Sequence, residues 1–112
     1  MKLNRYSSIN SFMRSTVRQV VERWAAGQDN CCTPNRSIWS EDGRLWSYNL
    51  CIGFRSPGGD AIVADYTATG GAMYSMTTST HVNLAKRAVG DSGSTMTVEA
   101  WKRSPLFAST PF

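Results

Sequence analysis

The segment SIWSEDGRLWSYNLCIGF, residues 37–54, carries the clearest structural signal of the chain, because its pattern predicts a β-hairpin. Its Asp42-Gly43 pair favours a two-residue type I′ turn, in which both central residues have positive φ. This turn places an opposite-charge pair and an aromatic pair across the two strands. The pairs are Glu41 with Arg44 and Trp39 with Trp46.

Large apolar residues occupy every second position after this turn, which is the period of a strand with one buried face. They are Trp46, Tyr48, Leu50, Ile52 and Phe54. Turn-forming residues then separate further segments rich in apolar or β-branched residues, at 61–67, 72–77 and 94–101. This succession of strands and turns predicts an antiparallel meander.

Residues 8–26 have the period of an amphipathic helix. Six apolar residues fall within one arc of the helical wheel: Ile9, Met13, Val17, Val20, Val21 and Trp24. Either Ser7 or Ser8 can cap the start, and Gly27 stands where a helix-ending glycine belongs.

The segment TTSTHVNLAKRAVG, residues 77–90, predicts a second, short helix over 80–89. Its row of hydroxyl residues precedes that helix, and Ser79 or Thr80 can accept hydrogen bonds from the backbone N–H groups of the first turn. Gly90 ends the helix.

These elements predict the α+β class: a long N-terminal amphipathic helix and a short helix packed on a curled antiparallel β-sheet of about five strands. The 112 residues suit a single domain. In that domain the sheet and the short helix occupy residues 37–101. Residues 102–112 contain two prolines and no period, and are expected to form a loose tail.

Basic residues are concentrated near the N-terminus. Residues 1–27 contain five basic side chains and a single acidic one, so this segment accounts for the chain's net charge of +4. Such a face attracts phosphate, although the same charges also suit a solvated helix face. The predicted contacts are Lys2 and Arg5 on an arm, Arg14 and Arg18 opposite the apolar arc, and Lys86 and Arg87 as a second patch. We expect nucleic acid or a nucleoprotein as the partner, without sequence specificity.

Four residues at the predicted start of the short helix form a candidate anion site, because hydroxyls at a helix start can bind anions. They are Thr78, Ser79, Thr80 and His81, and helix capping alone also explains them. His81, the only histidine, can pair with Cys51. It can equally pair with Ser75 oriented by Asp65, and the spacing selects neither arrangement. We therefore expect a protein that is not an enzyme.

The three cysteines, Cys31, Cys32 and Cys51, are odd in number and include an adjacent pair that does not readily form a disulfide. We expect reduced thiols. Their spacing lacks the paired ligands of zinc modules, so no metal and no cofactor are expected. The chain has neither an apolar run that would span a membrane nor a typical signal peptide, which favours a cytoplasmic protein with no membrane partner.

The segments GRLWSYNLCIG and YSMTTSTHVNLAKRA resemble a small domain of unknown function from tailed-phage genomes. Proteins of that family carry a LYSY-like strand and a later YS-x-TTS-x-H-x-N-x-A-x-R-like segment. The matching residues are Leu45, Ser47, Tyr48, Tyr74, Ser75, Thr77, Thr78, Ser79, His81, Asn83, Ala85 and Arg87. The resemblance covers residues 37–89 and implies a phage-type origin, but no particular activity.

The expected function is that of a small phage-type accessory protein that acts by binding in the cytoplasm of the host cell. An alternative is a protein-binding inhibitor of a host enzyme or of a bacterial defence system, similar to anti-CRISPR proteins. A third alternative is a structural component of the virion, which would reveal itself by self-assembly.

Overall fold

The computed structural model describes residues 13–56, 58–67 and 73–104. Its elements, in chain order, are β1 (Met13–Arg14), α1 (Val17–Ala25), β2 (Cys31–Cys32), β3 (Ile38–Glu41), β4 (Arg44–Ser47), β5 (Leu50–Arg55), β6 (Ala61–Ala64), α2 (Met76–Val89), β7 (Ser94–Met96) and α3 (Val98–Arg103). The strands form one sheet whose spatial order follows the chain order. The α+β class is confirmed.

The sheet is mixed, so the prediction of an antiparallel sheet of about five strands is wrong. Strands β2 to β6 do form an antiparallel meander. At the two edges, however, β1 pairs in parallel with β2, and β7 pairs in parallel with β6. Parallel neighbours need a crossover connection, and these two crossovers contain α1 and α2. The two helices contact each other, and each contacts the sheet.

The predicted hairpin at Asp42-Gly43 is confirmed. Both residues have positive φ, 58° and 81° respectively. The register pairs Trp39 with Trp46 and Glu41 with Arg44. The two indoles stack with ring centroids 5.1 Å apart. Local turn chemistry and cross-strand pairing therefore agree at this point of the chain.

The first helix has nine residues, so the prediction of a long helix over 8–26 is wrong. Thr16 begins it with a capping box. The Thr16 hydroxyl accepts a hydrogen bond from the backbone N–H of Gln19, and the Gln19 side chain accepts one from the backbone N–H of Thr16. The sequence contained this signal, but apolar periodicity alone did not show where the helix begins.

The residues before this helix enter the sheet. Met13 and Arg14 form β1, and the backbone N–H of Ser15 donates to the carbonyl of Cys32 at 2.8 Å. The first residues of the predicted helix, 8–12, lie outside the described residues. The prediction that Gly27 follows the helix is confirmed, with a φ of 99°.

The second helix begins at Met76 and has fourteen residues, so it is the longest helix of the described chain and not a short one over 80–89. Ser75 caps it, since its hydroxyl accepts the backbone N–H of Thr78 at 3.0 Å. The hydroxyl row that suggested a cap therefore lies within the first turns. The strand predicted over 72–77 does not form in its described part, residues 73–77.

The last predicted strand, over 94–101, ends at Met96. Thr97 then caps α3, accepting the backbone N–H of Ala100 at 3.2 Å. Trp101 of this helix is fully buried, which fixes the helix against the body of the protein. Residues 102 and 103 belong to α3 and not to a loose tail, and residues 105–112 lie outside the described part of the chain.

The hydrophobic core lies between the helices and the sheet. Its buried members include Val20, Val21 and Trp24 of α1, Val82, Ala85 and Val89 of α2, and Ile38, Leu45, Ile52 and Val63 of the strands. Trp24 lies against Gly53, where an added Cβ would be 3.0 Å from the indole. Its Nε1–H also donates to the carbonyl of Gly43 at 2.8 Å, so one side chain joins α1 to β5 and to the first hairpin turn.

Candidate ligand-binding groove

A groove of about 670 Å³ opens between the start of α1, the β4–β5 turn and the first half of α2. Its lining includes Arg18, Tyr48, Met76 and His81, and no carboxylate is among the residues that line it. Tyr48 and Met76 are exposed, and His81 is buried. The groove therefore combines exposed aromatic and apolar surface with a positive charge.

Tyr48 occupies a strained position in the turn between β4 and β5. Its φ is 54°, in the left-handed region that a bulky side chain rarely adopts. Two hydrogen bonds hold it there. Its N–H donates to the carbonyl of Ser37 at 3.0 Å, and its carbonyl accepts the indole N–H of Trp39 at 2.8 Å. The side chain remains 48% exposed at the groove. Strain of this kind concentrates at functional sites.

A buried polar cluster lies beneath Tyr48. The hydroxyl oxygen of Ser47 is 2.8 Å from Nδ1 of His81 and 2.9 Å from the hydroxyl oxygen of Thr78. All three residues are buried, and burial lowers the pKa of His81 below its usual range. The centroids of the Tyr48 and His81 rings are 6.3 Å apart. The cluster thus connects the sheet to α2 under the groove.

Sequence reasoning missed the role of Ser47. The predicted alternation over 46–54 placed it opposite the apolar face of a single strand. The structure instead has a turn at Tyr48 and Asn49, and three of the four residues of β4 are buried. The resemblance to the phage domain did include Ser47 and Tyr48 in one segment and Thr78 and His81 in the other. The fold brings these two segments into contact.

The four residues of the predicted anion site do not converge at a helix start. Thr78 and His81 point inward to Ser47. The hydroxyl of Ser79 donates to the carbonyl of Tyr66 at 3.3 Å. The hydroxyl of Thr80 donates to the carbonyl one turn earlier in its own helix. Only Thr80 and His81 of the four line the groove.

Two of the predicted basic residues come together. Arg18 of α1 and Arg87 of α2 are exposed and line a small cleft between the two helices. Glu22 lines the same cleft. Within the described structure it forms no ion pair with either arginine. Arg18 also lines the groove, so the cleft and the groove adjoin at this residue.

The remaining predicted basic residues differ in availability. Arg14 is exposed on β1 instead of on a helix. Lys86 is paired with Asp65, with its Nζ 2.8 Å from the carboxylate. Lys2 and Arg5 lie outside the described residues. Of the predicted basic residues, Arg14, Arg18 and Arg87 are therefore the ones that the described structure exposes without an ion pair.

Neither nucleophile pairing that the sequence left open is formed. The thiol of Cys51 donates to the carbonyl of Gly53, and burial raises its pKa to about 12. Ser75 caps α2, and Asp65 pairs with a lysine. Ser47 does contact His81, but its side chain is buried and out of reach of a substrate. The three cysteines are free and buried.

A second cavity, of about 550 Å³, lies beside the Asp42-Gly43 turn. Two of its three charged groups pair with each other, since Arg55 lies 3.1 Å from Asp29, and Arg55 also donates to the carbonyl of Trp24. This arrangement fixes the end of α1 to β5. Neither Arg55 nor Asp29 is then left unpaired to bind a ligand. The groove at Tyr48 is the better candidate site.

Comparisons with known protein families, curated proteins and solved structures find no match for this chain. The described residues contain no group of three His, Cys, Asp or Glu side chains that could hold a metal ion. No helix among them is long and apolar enough to cross a membrane. The groove and the cleft lined by Arg18 and Arg87 are therefore the features from which a function is inferred.

Proposed function

We propose that this protein binds single-stranded nucleic acid along the groove, without sequence specificity. The observation that carries the proposal is the position of Arg18, which lines both the groove and the cleft that it shares with Arg87. A strand lying in the groove would bring its phosphates to these guanidinium groups. Phosphate contacts of this kind supply most of the affinity in non-specific binding.

Tyr48 supports a single strand as the ligand. Its ring is half exposed at the groove, and the strained turn holds its backbone in place. Bases stack on exposed aromatic rings with little preference for sequence, whereas in a duplex their faces are already stacked on each other. Arg87 extends the positive surface from the groove into the adjoining cleft. Lys86 is left out of the proposed contacts because it is paired with Asp65.

The test is the affinity of Arg18→Gln with Arg87→Gln for an oligo(dT) labelled for fluorescence anisotropy, measured at several salt concentrations. Removing one phosphate-binding side chain should flatten the slope of log K against log salt by about 0.7. The double variant should therefore bind more weakly and with a slope flatter by about 1.4. Lys102→Gln with Arg103→Gln removes the same charge from α3, which does not line the groove, and is the matched control.

Two results would contradict the proposal. One is the absence of oligo(dT) binding by the wild-type protein at low salt. The other is an equal decrease of affinity in the groove variant and in the α3 control, which would mean that net charge alone determines binding. Circular dichroism of both variants checks that the fold is retained.

A second candidate is a protein-binding inhibitor, and one observation favours it. The residues that lead into α2 expose large apolar side chains at Met73, Tyr74 and Met76, the last of them 77% exposed. Tyrosine and methionine are enriched in protein interfaces. If this surface binds a host protein, Met73→Ser with Tyr74→Ser should abolish a salt-insensitive, nuclease-resistant complex, and neither of these residues lines the groove. The same variant would leave phosphate contacts at Arg18 and Arg87 in place.

A further inference from the structure

We infer that a buried chain of hydroxyl groups fixes the tautomer of His81 and makes it a hydrogen-bond donor to a phosphate oxygen in the groove. Thr78 and Ser47 are the positioning residues of this chain, and His81 is the residue that would touch the ligand. The identity of the ligand atom rests on the proposed nucleic-acid binding. The tautomer of His81 does not, because it follows from hydrogen bonds inside the protein.

The direction of the hydroxyl chain follows from counting protons and acceptors. Ser47 lies between Thr78 and Nδ1 of His81, at 2.9 and 2.8 Å. In one direction Thr78 donates to Ser47 and Ser47 donates to Nδ1, so both hydroxyl protons have acceptors. Because Nδ1 then accepts, the ring proton of neutral His81 is on Nε2.

The opposite direction leaves a buried proton without an acceptor. Nδ1–H would donate to Ser47, and Ser47 would donate to Thr78. The hydroxyl of Thr78 would then need another acceptor, and among the described residues its side chain makes no other hydrogen bond. Thr78 is fully buried, so water does not replace the missing partner without a change in packing. The first direction is therefore favoured.

The Nε2 atom of His81 is free to meet a ligand. His81 is 2% exposed, and its described hydrogen bonding is confined to Nδ1. Among the described residues, the fully buried side-chain polar atoms that lack a partner are the hydroxyl of Tyr66 and Nε1 of Trp101. Within the described part of the chain Nε2 has no hydrogen-bond partner and is not one of these enclosed atoms, which leaves it a small accessible area. His81 lines the groove, so a ligand that enters the groove can approach its ring.

The chemistry around Nε2 selects an anionic acceptor. A neutral imidazole with its proton on Nε2 offers the groove a donor and no acceptor. Arg18 adds positive charge to the same groove, and no carboxylate lines it. Burial lowers the pKa of His81, and protonation would also force the hydroxyl chain into its unfavourable direction. The contact is therefore a hydrogen bond from a neutral ring to a phosphodiester oxygen.

The tautomer is tested by nitrogen-15 NMR of the histidine ring, since the chain has one histidine and the signals need no assignment. At neutral pH the wild-type spectrum should show a protonated Nε2 and an unprotonated Nδ1. Ser47→Ala removes the donor to Nδ1, so the ring should become a mixture of tautomers. Ser79→Ala is the matched control, because the Ser79 hydroxyl donates to the carbonyl of Tyr66 and takes no part in the hydrogen bonds to His81. A protonated Nδ1 in the wild type would overturn the inference.

The ligand atom is tested with two probes of equal length, oligo(dT) and an abasic phosphodiester oligomer. His81→Phe should weaken the binding of both probes about tenfold, the value of one hydrogen bond to a charged group. Ser47→Ala should weaken both by a few fold, and Ser79→Ala should weaken neither. Thermal midpoints identify any variant that fails to fold. If His81→Phe fails to fold, the smaller truncation Ser47→Ala still provides the test.

The outcomes separate this inference from the proposed function. If His81→Phe weakens the binding of oligo(dT) but not of the abasic oligomer, His81 donates to a base carbonyl, and the phosphate assignment is overturned. Unchanged affinity of folded His81→Phe for both probes would overturn the role of His81 in binding. If the wild type binds neither probe, the proposed function and the ligand assignment fail together, whereas the ring-nitrogen spectrum still decides whether the hydroxyl chain sets the tautomer.

Discussion

The two tight turns of the central meander solve the same geometric problem with opposite kinds of residue. Asp42 and Gly43 join β3 to β4, and Tyr48 and Asn49 join β4 to β5. Asp and Gly adopt positive φ at little cost, so the first turn is relaxed. Tyr48 also has positive φ, but as a bulky aromatic it does so under strain.

Each turn is held by an indole. Nε1 of Trp24 donates to the carbonyl of Gly43, and Nε1 of Trp39 donates to the carbonyl of Tyr48, both at 2.8 Å. The first turn therefore anchors a helix to the sheet, while the second presents an aromatic ring to a groove. The relaxed turn thus serves the fold, and the strained turn lies where we propose binding. Three experiments test this division.

The largest effect is expected at the first turn. Gly43→Val should lower the free energy of unfolding by about 3 kcal/mol or more, because a β-branched residue resists positive φ and because its side chain has no room. An added Cβ at Gly43 would lie 2.7 Å from the carbonyl oxygen of Arg55. Urea denaturation measures the change. An unchanged midpoint would show that this turn does not support the fold as described.

Acid should weaken the protein through the cluster beneath the second turn. Burial lowers the pKa of His81 in the folded state, so the unfolded chain binds the proton more tightly. The stability that depends on neutral His81 is therefore fully present above the unfolded-state pKa of about 6.5. It is lost as the pH falls through that value towards the folded-state pKa. The slope is limited to about 1.4 kcal/mol per pH unit.

The measurement for this pH effect is urea unfolding at several values between about pH 5.5 and 7.5, where His81 is the one histidine able to titrate. His81→Gln is the control and should remove the slope. If the variant keeps the slope of the wild type, the acid sensitivity belongs to other groups, and the cluster beneath Tyr48 is not its source.

The smallest effect on stability is expected when asparagine is introduced at each turn in a separate variant. Tyr48→Asn should raise the free energy of unfolding by about 0.5–1 kcal/mol, since asparagine tolerates positive φ better than tyrosine. Asp42→Asn should change it by only about 0.3 kcal/mol or less, because Asn-Gly and Asp-Gly suit the same turn. The Tyr48 variant should nevertheless bind oligo(dT) more weakly, because it lacks the stacking ring. A decrease of stability in Tyr48→Asn would mean that the ring contributes more to packing than its strain costs.

The start of each helix shows why periodicity misplaced the elements. Met13 fits the apolar arc of a helix as well as Val17 does, so the period extends past the true boundary. The boundary is set by the capping box at Thr16 and by the pairing of Ser15 with Cys32. The first of these is a local signal that the sequence contains. The second joins residues far apart in the chain, and no local pattern specifies it.

The start of α2 was misplaced for a different reason. Residues 76–80 are four hydroxyl residues and a methionine, and threonine favours strands, so local propensity argued against a helix here. Tertiary contacts override that preference. Thr78 is buried against Ser47, and Ser75 supplies the cap. The hydroxyl residues that suggested a helix cap or an anion site therefore lie within the helix, and one of them, Thr78, is buried.

Features that depend on near neighbours could be predicted from the order of the amino acids: the Asp42-Gly43 turn, the register that follows from it, the glycine after α1 and the α+β class. The parallel edge strands and the cluster of Ser47, Thr78 and His81 follow instead from contacts between distant parts of the chain. Ser47 and His81 are 34 positions apart in the chain. Their contact depends on a helical crossover that packs α2 against the sheet. Turn geometry is set by the φ preferences of two residues, whereas a buried hydrogen-bonded cluster exists only after the whole core has excluded water.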